Sequence, residues 1–95
     1  MKAVLLLRER LALTPGAFAE LVVWRVPRPV VGSRHSFKYR LALVVEEQCV
    51  LRYDNEAGKG DHKHLGAEEL PFAFTGINDL LAAFWRDVDS WRRTS

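Results

Sequence analysis

Between Phe37 and Val45 the sequence FKYRLALVV alternates with a period of two. Phe37, Tyr39, Leu41, Leu43 and Val45 fall on one side of an extended chain, and Lys38, Arg40, Ala42 and Val44 on the other. That period marks a half-buried strand. A second run, CVLRYDN, follows Glu46-Glu47-Gln48. With those three residues as the hairpin loop, Val45 faces Cys49, Leu43 faces Leu51 and Leu41 faces Tyr53. The apolar face then continues across the pair, with Ala42 opposite Arg52 and Arg40 opposite Asp54. A two-residue loop would shift the register by one and set Leu41 against Arg52. Register follows such matching, so the three-residue loop is predicted, with Lys38, Arg40, Arg52 and Asp54 on one surface.

Upstream, KAVLLLRERLAL reads as a strand up to the turn Thr14-Pro15-Gly16, where Pro presets φ and Gly supplies freedom. AFAELVVWRV is largely apolar on both faces, which predicts a central strand with Trp24 in the core. Pro27 and Pro29 end it because neither donates a ladder hydrogen bond. VVGSRHS is a loop by composition, with His35 at the surface. HKHLG reads as a short return strand and PFAF as a further short edge. The period then changes. Ile77, Leu80, Leu81, Phe84, Trp85, Val88 and Trp91 form one apolar stripe of a helix. Thr75 is the expected N-cap, Asp79 suits the positive end of the helix dipole, and Arg92 and Arg93 suit the other. Together these elements predict one α+β domain over residues 1–95. It has two layers, an antiparallel meander sheet packed by a C-terminal amphipathic helix.

Composition narrows the function classes. The chain has 95 residues, 48% of them hydrophobic, enough for a modest core. No apolar run approaches the roughly 20 residues of a membrane helix. The apolar start of MKAVLLLRERLAL is too short for a signal-peptide core, and no small-residue cleavage site follows. The single cysteine, Cys49, has no internal disulfide partner. It sits in an apolar run and reads as core. These features predict a cytoplasmic protein without membrane contact. The net charge of +2 is unevenly spread: residues 1–45 carry +6 and residues 46–95 carry −4. A basic half suits phosphate backbones, and equally suits plain solubility.

The densest chemistry lies in RYDNEAGKGDHKH, from Arg52 to His64. On a strand, His62 and His64 point the same way. Two imidazoles on one face can act as acid and base, or as two metal ligands. Asp54 can orient a histidine or pair with Arg40. Arg40, Arg52, Lys59 and Lys63 can hold a phosphate, and Gly58 and Gly60 let backbone N–H groups approach an anion. Tyr53 faces inward by alternation, and Asn55 caps the turn. Asp54, Asp61, His62 and His64 make a metal set on paper. No cysteine and no second paired motif supports it, so no metal or other cofactor is predicted.

FKYRLALV, CVLRYDNEAGKGDHKHLG, the Pro-aromatic-x-Phe segment and the FWRDV helix resemble the TumE family over about Lys2 to Trp91. R-Y-D-N-x-x-G-K-G-x-H-x-H is the most specific part. The resemblance implies the toxin half of a two-gene prokaryotic module, neutralised by a cognate antitoxin that is commonly DNA-binding. Chemistry then orders three readings. The first is a metal-independent endoribonuclease, with His62, His64 and Asp54 catalytic and Arg40, Arg52, Lys59 and Lys63 contacting phosphate. The second is a non-catalytic module that binds protein or nucleic acid through the basic sheet face. The third is a metal-dependent hydrolase.

Overall fold

A computed structural model describes residues 2–94. Six strands run β1 (Val4–Thr14), β2 (Ala17–Arg25), β3 (Phe37–Val45), β4 (Gln48–Asp54), β5 (His62–Leu65) and β6 (Glu68–Pro71), followed by helix α1 (Ile77–Thr94). Each strand pairs antiparallel with the next, so the sheet order is the chain order. The architecture is the predicted α+β meander with a C-terminal helix.

The helix covers one face of the sheet. Leu80, Phe84 and Val88, at spacings of four, are fully buried against Leu21, Val23, Tyr39, Leu41, Leu43, Leu51 and Tyr53. Ile77, Leu81, Trp85 and Trp91 flank that line and are half-buried. The apolar stripe is therefore right, with Leu80, Phe84 and Val88 along its buried centre. The N-cap is Gly76, not Thr75. The Gly76 carbonyl accepts the first helical bond, from Leu80 N–H at 3.0 Å. Its φ of 142° favours glycine. The Thr75 hydroxyl instead donates to Asp79 Oδ2 at 2.7 Å.

The β3–β4 hairpin reconciles two registers. Arg40↔Asp54, Leu41↔Tyr53, Ala42↔Arg52 and Leu43↔Leu51 pair as the apolar face requires. Nearer the turn, however, Val44 pairs with Cys49 and Val45 with Gln48. The loop is thus two residues, Glu46-Glu47, both with positive φ as in a type I′ turn. A β-bulge at Val50 absorbs the extra residue and restores the face match. The bulge also corrects the reading of Cys49. Opposite Val44 it lies on the helix-free face, and it is exposed.

Two further expectations change. β2 is interior in the sheet, yet only Ala19, Leu21 and Val23 join the core. Trp24, paired with Lys38, stands half-buried on the helix-free face. The last strand is Glu68–Pro71 rather than PFAF. Phe72 and Phe74 follow it and pack against the core from the loop before α1.

Candidate functional site

Alternation sorts the polar residues of the central strands. Tyr53 and Lys63 pair across β4 and β5 and turn toward α1, where Lys63 Nζ lies 3.3 Å from Asp87 Oδ2 and Tyr53 donates to the same carboxylate. Their neighbours turn the other way. Asp54 pairs with His62, and Arg52 with His64. All four side chains therefore stand on the helix-free face, joined by Glu69, which lies opposite His64 on β6.

The four form a compact cluster. His62 is 5% exposed and Asp54 6%. The carbonyl of Gly60 accepts a bond from His62 Nδ1–H at 2.9 Å. That bond fixes the ring and turns Nε2 toward Asp54 Oδ1 at 3.1 Å and Glu69 Oε1 at 3.6 Å. Arg52 Nε lies 3.0 Å from Asp54 Oδ2, and its Nη2 donates to His64 Nε2 at 3.1 Å. The two imidazoles meet edge to face with centroids 4.8 Å apart. His64 is the more open of the two. Asp54 Oδ1 and Arg52 Nε are buried and held only by charge, with no well-aligned hydrogen bond. A cleft of about 160 Å³ lined by Lys38, Arg40, Arg52, Asp54 and Glu56 opens beside the pair.

Other residues singled out in the sequence lie elsewhere. Arg40 is opposite Asp54 in register, but its guanidinium turns to Glu20 at 3.7 Å. Lys63 is on the helix side, as its odd position on the strand dictates. Lys59 is exposed, lies 3.7 Å from Glu56, and lines a different cavity with His35 and Asp61. The Gly58 N–H is already bonded to Val31 O at 2.6 Å. A Cβ on Gly60 would meet Gly32 O at 2.9 Å. Gly60 thus lets two loops pack closely, whereas Gly58 borders open space at a φ of 85°, and its bonded N–H is not free for an anion. Asn55 does not cap the turn. It is 1% exposed, accepts from Tyr39 N–H at 3.0 Å and donates to Phe37 O at 2.7 Å. It continues the β3–β4 ladder with a side-chain amide.

A second His–Asp pair occupies the helix side. His35 is not a surface residue: its ring stacks on Phe74 with centroids 3.7 Å apart. His35 Nε2 lies 2.8 Å from Asp61 Oδ1, and the Phe37 N–H donates to His35 Nδ1 at 3.2 Å. The Tyr39 hydroxyl also donates to Asp61 Oδ1, at 2.8 Å, and Ser33 to Oδ2 at 3.3 Å. Asp61 is thus drawn away from His62, and among the described residues the groups placed to share a metal ion are Asp54, His62 and His64. The Tyr39 and Tyr53 phenols are both held well above the ordinary range, first by burial and then by hydrogen bonds to Asp61 and Asp87.

Sequence reading missed Glu69 and the Gly60 carbonyl as partners of His62. The signal for Glu69 was its distance across the Gly66 turn, obscured by assigning the last strand to PFAF. No residue pattern announces a carbonyl partner.

The Toxin TumE family model matches residues 2–92. No curated protein and no solved structure matches the chain. Among the described residues, no helix is long and apolar enough to cross a membrane.

Proposed function

The chain belongs to the TumE toxin family, the toxin side of toxin–antitoxin modules, and on that footing we propose that it cleaves RNA without a metal ion. The observation that carries the reading is the single cluster joining His62, His64, Asp54 and Arg52 on the open sheet face. RNA carries its own nucleophile, the 2′-OH. An enzyme need only take that proton, protonate the leaving 5′-oxygen and stabilise the charged phosphorane between. His64, half-buried, and His62, buried behind it, form the proton-transfer pair. Asp54 holds the His62 ring, and the Arg52 guanidinium supplies positive charge beside His64. Arg40 lines the adjoining cleft as a further phosphate contact. The target is cytoplasmic RNA, and the cognate antitoxin blocks the reaction.

A second reading has its own support. The ligand atoms of Asp54, His62 and His64 lie within 4.8 Å of one another, and a carbonyl-bound His62 Nδ1–H is the usual outer-shell partner of a ligating histidine. Against it, Arg52 places a fixed positive charge 3.0 Å from Asp54 and already occupies His64 Nε2. A guanidinium there repels a divalent ion and attracts a phosphate, so the metal-free reading is preferred.

Purified wild-type protein is incubated with mixed RNA, with and without EDTA, beside the folded H62A/H64A variant. Cleavage that survives EDTA and disappears in the variant is the expected result. Loss in EDTA moves the site to the metal reading. Equal cleavage by the variant removes the histidines from the chemistry, and no cleavage at all favours a binding module.

A further inference from the structure

The two edges of the sheet are built differently. β6 has four residues, carries Glu68 and Glu69, and ends at Pro71. Short length, charge and proline are the usual means of keeping an edge from pairing with another chain. β1 has eleven residues and no proline, and its outward backbone pairs with nothing among the described residues. Its bulges fall at Leu6 and Leu13, which leaves Leu7–Ala12 as a regular stretch. Val4, Leu5, Leu6 and Leu11 of this strand are exposed large apolar residues; elsewhere only Val31 and Leu65 share that property among the described residues.

The charges on β1 say what covers it. Arg8 and Arg10 pair with Val22 and Glu20 and so stand on the helix-free face. Arg10 lies 3.9 Å from Glu20 and 4.0 Å over the Phe18 ring, and its side chain is still 65% exposed. Together with Glu9, Glu20 and Val22 the two arginines line a surface cavity of about 500 Å³. A second copy centred on the charged middle of the strand meets like charges. Residues directly opposite must share a face, so a two-fold axis falls on a residue. Centred on Glu9, it sets Arg8 against Arg10 and Glu9 against Glu9. Centred on Arg8 or Arg10, it sets an arginine against itself. Like charges directly opposite are destabilising.

We propose that β1 takes an added strand from the cognate antitoxin, with carboxylates opposite Arg8 and Arg10 and apolar side chains opposite Leu7 and Leu11. This β-augmentation supplies main-chain hydrogen bonds for affinity and alternating side chains for selection. It rests on the family assignment and not on RNA cleavage, so its test reads binding alone.

The probe is the product of the gene adjacent to the toxin's own, co-purified with the full chain. Hydrogen exchange in the complex is expected to show new protection at the amides of residues 7–12 and none at Glu68–Pro71. R8E alone, and R8E/R10E, each checked for a wild-type melt, are expected to weaken the complex at least about tenfold, about 1.4 kcal/mol or more. A G66A change in the β5–β6 turn serves as the distant control and leaves affinity unchanged. Protection confined to β6 or α1, charge reversal without effect, no complex with the adjacent product, or a toxin dimer with β1 protected would each overturn the proposal. Loss of cleavage with binding intact concerns the catalytic reading only.

Discussion

Two His–Asp pairs stand on opposite sides of the same sheet, and they are satisfied to different degrees. In His35–Asp61, each ring nitrogen has a complementary partner, and both carboxylate oxygens accept from protein donors. In His62–Asp54, the carboxylate has one buried oxygen without an aligned hydrogen bond, the histidine faces two carboxylates, and a second imidazole opens to solvent. Full satisfaction is what a structural polar cluster needs, since an unpaired buried group costs stability. Incomplete satisfaction is tolerated where a ligand or proton completes it. The first pair therefore ties the Val26–Ser36 loop and the loop before β5 to the sheet, and the second is the pair that the proposed reaction uses.

The largest effect that tests this contrast is on rate. H64A is expected to lose about 10²–10⁴-fold in RNA cleavage with little change in melting, because His64 lies partly in solvent. H62A and H64A together should lose less than the product of the single losses, since both act on one transition state. Single-turnover assays on the folded variants decide it; an H64A enzyme at wild-type rate would erase the distinction between the pairs. His62 is buried, so its removal also costs stability, unlike what a loop position would imply.

Asp61 should show the reverse pattern. D61A strands donors from His35, Tyr39 and Ser33 and is expected to cost about 2–4 kcal/mol. D61N keeps an acceptor oxygen and should cost less. Cleavage per folded molecule should hold in both. Urea melts read the first expectation, and a D61A protein within about 0.5 kcal/mol of wild type would make the cluster dispensable.

Alkali should act on the helix side. Tyr39 and Tyr53 keep their protons when folded at pH values where an unfolded phenol, with its ordinary pKa of 10.0, gives them up. The folded state then binds more protons, so their contribution is fully present below pH 10 and is lost as pH rises beyond it. Y39F should flatten that decline in a melt series from pH 9 to 11; an unchanged slope would mean the phenol ionises freely in the fold.

The smallest effect is a control remote from both pairs. Glu47 sits at φ 67° in the β3–β4 turn, where a side chain is strained. E47G should raise stability by about 1 kcal/mol and leave cleavage untouched. A fall in stability would show that this turn is not strained by its side chain.

Local pattern and composition were enough to assign five strands and the helix stripe, to put Arg52 with Asp54 on one surface and to put His62 and His64 on a common side, because alternation is a property of the chain itself; that the two sets share a face came from the β4–β5 pairing. Local pattern also gave the register from Arg40↔Asp54 to Leu43↔Leu51, since only one alignment kept the apolar face continuous. Other features depended on contacts between distant segments. The Val50 bulge, which exposes Cys49, is the compromise between a two-residue turn and that face match. His35 is buried because Phe74 and Asp61, far along the chain, come to meet it. Lys59 and Lys63 leave the cluster because one belongs to a different loop surface and the other faces α1. Above all, the sequence presents Asp54 and Asp61 as equivalent neighbours of His62. Only the tertiary fold gives Asp54 to His62 and Asp61 to His35, because a carboxylate's partner is chosen by which face of the sheet it leaves and what the loops bring there.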